Sequence, residues 1–136
     1  MDLLARREYA RLELRRRLML KFADDVLIDE ALEKLADEGL LSDERFAESY
    51  VRHRSSAGFG PQRILLELRE RGVRDELAKA AINGSRCNWQ DNALAARNKK
   101  FGALPACDAK SRAARARFLQ YRGFSADHIA ELENSA

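Results

Sequence analysis

Leu68-Arg69-Glu70-Arg71-Gly72-Val73 and Leu119-Gln120-Tyr121-Arg122-Gly123-Phe124 are two copies of one pattern: an anchor leucine, a basic residue three positions on, a glycine, then a large apolar side chain. Leu18-Met19-Leu20-Lys21-Phe22 is a third copy, with Phe22 where the others have glycine. The three anchor leucines lie 50 and then 51 residues apart. A fixed period of this size is the mark of a repeat architecture. The pattern predicts an all-α chain of three tandem three-helix repeats, residues 1–41, 42–85 and 86–136. A unit this small buries little alone, so neighbours stack to extend the core. The expected shape is an elongated, curved array.

The second unit is the most regular. Ser42 is an N-cap, followed by Asp43 and Glu44 where the helix dipole favours anions. Phe46, Ala47, Tyr50 and Val51 recur at helical spacing. The stretch 55–59 breaks that helix. Gly60-Pro61 opens the next, with Pro at the first helical position. Ile64, Leu65 and Leu68 line its inner face, and Gly72 closes it. Val73, Leu77, Ala80 and Ala81 form the third inner stripe, ended by Asn83-Gly84-Ser85. In the third unit, Trp89, Ala93 and Ala96 mark the first helix and 101–108 is a loop. The second helix runs 110–122, and Ser125 caps the last, with Ile129 and Leu132 facing in. The first unit is expected to begin within a truncated helix, 2–9, followed by helices over 11–22 and 27–38.

The composition suits helices. Ala, Leu, Arg and Glu dominate, all good helix formers, and there are two prolines. Of 25 basic residues six are Lys, which leaves 19 Arg, the side chain that makes planar, bidentate contacts with carboxylate and phosphate. The formal charge is +3, but it drifts: net −2 over 1–42, +1 over 43–84 and +4 over 85–136. The C-terminal third therefore seeks anions most strongly. Cys87 and Cys107 form no CxxC pair and read as free thiols of a reducing compartment. No apolar run reaches the roughly 18 residues of a membrane span, and no signal peptide is evident, so a cytoplasmic location is expected.

Catalytic signals are missing from the sequence. His53 lies in Arg52-His53-Arg54 and His128 in a first helical turn, both read as surface histidines. There is no HExxH, P-loop, zinc ribbon or GxGxxG. Gly58-Phe59-Gly60-Pro61 has no Lys-Ser or Lys-Thr sequel and reads as a hinge and cap. Asp24-Asp25 and Asp29-Glu30 sit in a connector and a helix start, where capping explains them. No cofactor and no metal are expected.

Basic stripes remain. Arg112, Arg115 and Arg122 share one stripe of the 110–122 helix, with Lys110 and Arg117 on an adjacent one, and the helix contains no acid. Lys99 and Lys100 lie just upstream. Arg7, Arg11 and Arg15 share a face if the helix runs through Tyr9-Ala10, and Ala10, having no capping side chain, argues against a sharp break there. Glu8 and Glu13 are close enough to neutralise part of that stripe.

Several strings resemble the bacterial RecX family. They are Leu4-Ala5-Arg6-Arg7-Glu8, Glu13-Leu14-Arg15-Arg16-Arg17-Leu18, the stretch from Gly39-Leu40-Leu41-Ser42-Asp43-Glu44 through Arg45-Phe46-Ala47-Glu48-Ser49-Tyr50-Val51-Arg52, Gly60-Pro61-Gln62-Arg63-Ile64, Glu67 to Val73, and Arg117 to Ser125. The resemblance covers nearly the whole chain. It implies three three-helix repeats and a non-enzymatic regulator of RecA, the recombinase that polymerises on single-stranded DNA. Such proteins bind the RecA–DNA filament in its groove, suppress strand exchange and ATP hydrolysis, and so modulate recombination, DNA repair and the SOS response. The expected partner is the RecA filament, with weak direct DNA contact and no membrane, and the chain is expected to be a monomer. The C-terminal contact falls to Lys110, Arg112, Arg115, Arg117 and Arg122, with Arg7, Arg11, Arg15 and Arg63 secondary. The alternative is a helical module that binds nucleic acid independently of RecA.

Overall fold

The computed structural model describes residues 8–134, which form eight α-helices: α1 (Arg11–Met19), α2 (Asp25–Asp37), α3 (Asp43–Ser56), α4 (Pro61–Glu70), α5 (Asp75–Gly84), α6 (Trp89–Phe101), α7 (Ala109–Arg122) and α8 (Ala126–Asn134). The helix expected over 2–9 lies almost entirely outside the described residues. Among the helices, α1 pairs with α2, α3–α5 pack on one another, and α6–α8 do the same.

The recurring leucine-to-glycine string is a helix C-terminus. In α4 the Gly72 and Val73 N–H groups donate to the carbonyls of Arg69 and Leu68, both at 3.0 Å. In α7, Gly123 and Phe124 repeat this onto Gln120 and Leu119, at 3.0 and 3.1 Å. Gly72 and Gly123 sit at φ +83° and +98°, which a Cβ disfavours. The pattern thus places Leu68 and Leu119 in the core, 0% and 1% exposed, and folds Val73 and Phe124 in beside them. Phe22 cannot take that backbone cheaply. Helix α1 stops at Met19 with right-handed φ/ψ at Leu20, and Leu20 and Phe22 are left exposed.

Three apolar clusters result. One joins Tyr9, Leu14, Ile28, Leu32, Leu35 and Leu41. The largest is built on Phe46, Val51, Ile64, Leu68, Val73 and Ile82. The third has Ala93, Leu119, Phe124 and Leu132 as its buried members. Ala10 enters the middle cluster from the first unit, and Trp89 packs against both the middle and third clusters. Ala78, not Ala80, is the inner residue of α5; Ala80 faces solvent.

The chain does break at Ala10, which is extended (φ −71°, ψ 147°) and has no side-chain cap. The cap comes from another unit: the Arg11 N–H donates to Asp43 Oδ1 at 2.7 Å. Sequence spacing could not show this, because donor and acceptor lie 32 residues apart.

Helix α4 holds the units in a row. At its C-terminal end, α1 lies on the turn at Gly72, Arg16 donates to the Glu70 carbonyl (3.2 Å) and Arg71 faces Glu13 (3.7 Å). At its N-terminal end, the last turn of α7 meets the first turn of α4. The two outer units are therefore separated by a ten-residue helix, about 15 Å long.

Candidate interaction surface of the third unit

Helix α7 starts at Asp108, whose carboxylate accepts the Ser111 N–H at 2.7 Å; that bond holds the carboxyl below its usual range. From Ala109 to Arg122 there is no acid. The five predicted cations do not form one surface. Lys110 and Arg117 lie on the solvent side, roughly opposite Leu119 by helical phase. Arg112, Arg115 and Arg122 lie on the side that leans toward the core. The two stripes are thus opposed rather than adjacent. None of the five makes an ion pair among the described residues.

Arg115 donates to the Leu104 carbonyl (2.9 Å) and lies 5.5 Å over the Phe101 ring. Arg122 donates weakly to the Ala57 carbonyl of the second unit (3.4 Å) and sits between the Phe59 and Phe118 rings, at 4.7 and 5.0 Å. Lys99, Lys100, Arg122 and Phe118, with Ala57 and Gly58 opposite, enclose a recess of about 250 Å³ across the junction of the two units. Arg97 and Arg112 border a larger cavity between α6, α7 and α8. Arg97 is a residue that a search for exposed stripes overlooks. It follows Ala93 by four positions, so helical phase turns it inward. Its Nε is buried without a hydrogen-bond partner among the described residues.

The junction that carries these groups is made of backbone. The Gly60 N–H donates to the Arg122 carbonyl (2.7 Å) and the Gln62 N–H to the Gly123 carbonyl (3.0 Å). Free carbonyls ending α7 thereby satisfy free N–H groups starting α4, and the negative end of one helix dipole meets the positive end of the other. Gly60 permits the approach: a Cβ there would stand 2.5 Å from the Gly123 carbonyl group. Arg63, one of the secondary candidates, is part of this joint. It lies between the Phe59 and Tyr121 rings (4.7 and 4.9 Å), donates to the Tyr121 carbonyl (3.2 Å) and reaches Glu67 (3.4 Å). Glu67 is gripped in two-pronged fashion by Arg54 (both bonds 2.9 Å) and by the Tyr50 hydroxyl (3.0 Å). Burial pushes the Glu67 carboxyl up, but the bonds from Arg54, Tyr50 and Arg63 outweigh it and hold the group below its ordinary value.

The remaining candidates lie elsewhere. Arg11 pairs with Glu33 (3.0 Å) and Arg15 with Asp29 (2.8 Å), so both are neutralised on the surface of α2. Arg7 lies outside the described residues. His128 is half-buried rather than a surface histidine. Its N–H donates to Ser125 Oγ (3.2 Å) while its Nδ1 accepts the Ser125 N–H (3.4 Å), a reciprocal cap at the start of α8. Among the described residues no His, Cys, Asp and Glu cluster suited to a metal is found, and no helix is long and apolar enough to cross a membrane.

Fold and surface together define a class: an all-α binding protein of tandem three-helix domains whose chemistry is charge and shape. The descriptions of the second and third three-helix domains of RecX match residues 42–82 and 89–132. The chain is 46% identical over 132 residues to the regulatory protein RecX of Pseudomonas putida strain W619, covering 97% of this chain and 85% of that one. Identity is again 46% to the RecX of Ectopseudomonas mendocina strain ymp, over 97% of this chain and 88% of the relative. The crystal structure of RecX from Lactobacillus salivarius superposes with a TM-score of 0.81 at 24% identity, over 98% of this chain and 89% of that one. A second crystal structure, of regulatory protein RecX, gives 0.84 at 20% identity, over 99% and 69%. The chain belongs to the RecX family of non-catalytic regulatory proteins.

Proposed function

We propose that this chain inhibits RecA by binding the RecA filament on single-stranded DNA, so modulating recombination, DNA repair and the SOS response from the cytoplasm, as a monomer. The observation that carries the proposal is the acid-free α7, whose five cations make no ion pair among the described residues. The joint with α4 fixes the end of α7 against the second unit, and an elongated row of units suits a groove lined by phosphate and acidic protein. Occupying the groove opposes conformational change and incoming duplex. The test is RecA ATP hydrolysis on single-stranded DNA with this protein titrated in. Inhibition at stoichiometric ratios is expected. Lys110→Ala/Arg117→Ala, on the exposed face, should keep the helical signal but need several-fold more protein, with a salt slope shallower by about 0.7 for each phosphate no longer neutralised. Absence of inhibition by the wild-type chain overturns the proposal.

A second reading, direct nucleic-acid binding without RecA, is favoured by the recess where Lys99, Lys100 and Arg122 surround Phe118. Tight, salt-sensitive binding to single-stranded DNA without any effect on RecA would select it.

A further inference from the structure

We propose that the cavity between α6, α7 and α8 is a docking site for an acidic peptide segment of the partner protein that carries an apolar anchor. The cavity has a volume of about 400 Å³, the size of a small-ligand site, and no carboxylate lines it among the described residues. Its floor is aliphatic, from Leu119, Ile129 and Leu132. Three guanidinium groups, Arg97, Arg112 and Arg115, border it. Among the described residues none of the three has an ion-pair partner, and the buried Arg97 Nε has no acceptor. Arg115 is already oriented by the Leu104 carbonyl. A planar donor fork over an apolar floor matches a carboxylate borne next to an apolar side chain.

The same features disfavour a nucleotide here. Bases bind single-strand sites by stacking on aromatic faces, and among the described residues no aromatic side chain lines this cavity. The neighbouring recess, with Lys99, Lys100 and Phe118, has the features this one lacks. The inference rests on the function proposed above and divides its cations. Arg97, Arg112 and Arg115 grip protein carboxylates, while Lys99, Lys100, Lys110 and Arg117 are left for phosphate.

The probe is the peptide acetyl-Asp-Glu-Leu-Phe-Asp-Glu-amide, titrated into the full chain carrying labelled Leu and Ile methyl groups. Controls are the peptide with Asn and Gln for its acids, the peptide with Ser for Leu and Phe, and an oligo-dT of similar charge. The acidic apolar peptide should shift the Leu119, Ile129 and Leu132 methyl signals and bind at least tenfold tighter than either peptide control. Arg112→Glu, at an exposed position, should weaken it at least tenfold, and Arg112→Lys should restore part of the loss. Equal binding of the neutral peptide, no methyl shifts at millimolar peptide, or the same shifts from oligo-dT would each overturn the proposal. So would self-association of the chain, seen by sedimentation and abolished by Arg112→Glu, since the occupant would then be a second copy. The RecA assay separates the two readings. If the wild type inhibits and Arg112→Glu inhibits equally well, the docking site fails and the function stands. If the wild type does not inhibit, the function fails whatever the peptide does.

Discussion

Replacing Gly60 by Ala isolates the joint between the second and third units. Gly60 has φ −92° and ψ 172°, a conformation open to any residue, so the backbone itself resists alanine little. The added Cβ would stand 2.5 Å from the Gly123 carbonyl carbon and oxygen and 2.6 Å from the Phe124 nitrogen. These are backbone atoms and cannot rotate away. Restoring an ordinary van der Waals separation requires α7 to retreat by roughly 1 Å. The bonds from Gly60 to Arg122 and from Gln62 to Gly123, now 2.7 and 3.0 Å, would then exceed hydrogen-bonding distance. Breaking two backbone bonds costs about 2 kcal/mol, rising to about 5 kcal/mol if the donors stay shielded from water. For a chain of this length the melting temperature should fall by roughly 6–15 °C. Gly84→Ala is the control with the same chemical change, because an added Cβ there meets nothing within 4 Å. It should be neutral or stabilise by up to ~1 kcal/mol. Thermal and urea melts followed by circular dichroism give the free energies. Emission from the single tryptophan, Trp89, which touches both the middle and third clusters, reports the joint directly and should shift to the red. A Gly60→Ala protein that melts and fluoresces like Gly84→Ala would refute the backbone-to-backbone joint.

Other consequences are equally specific. Asp43→Ala removes the cap that Asp43 lends to α1 and should cost about 0.5–2 kcal/mol, with faster hydrogen exchange at the Arg11 amide; unchanged exchange there would contradict the assignment. Leu68→Ala, at a fully buried anchor, should cost about 2–5 kcal/mol in urea melts, while Leu66→Ala, 53% exposed, should cost little. Glu67 has a native pKa below its ordinary 4.5, so the stability it adds is complete above pH 4.5 and is lost as the pH falls from there toward the depressed native value. Wild type should therefore exceed Glu67→Gln in stability at pH 7, and the gap should narrow in melts near pH 3.5; a gap independent of pH would rule out the carboxylate as its source. Arg11→Ala and Arg15→Ala, which remove exposed ion pairs, should each shift stability by no more than about 1 kcal/mol and leave RecA inhibition unchanged; a marked loss of inhibition would return these residues to the interface.

Much of the fold was legible because its signals are local. The leucine-to-glycine string specifies a helix C-terminus through one left-handed residue and two short-range hydrogen bonds, so its recurrence counts units. Ser42, Pro61 and Ser125 mark helix starts for the same reason. Phe22, in the glycine position, goes with a different ending for α1, which stops at Met19 rather than running on to residue 22. Local signals misled where the deciding partner lay far along the chain. Ala10 offers no cap, yet the helix breaks there because Asp43 of the next unit supplies one. Arg11, Arg15 and Arg63 read as available cations, but tertiary contacts commit them to Glu33, to Asp29, and to the Phe59–Tyr121 joint. Arg97 was overlooked because a search for exposed charge passes over an inward-facing helical position.

The sequence by itself determined the number of units, the helices within them and the concentration of positive charge in the last, since each follows from periodicity, capping and composition within a few turns of chain. Only the tertiary structure decided which cations remain available and what surrounds them. Charge balance in a helical array is settled between helices, by side chains and carbonyls dozens of residues apart. The acid-free α7 was visible as a string; its division into a solvent face, a joint with α4 and the wall of an aliphatic cavity came from packing.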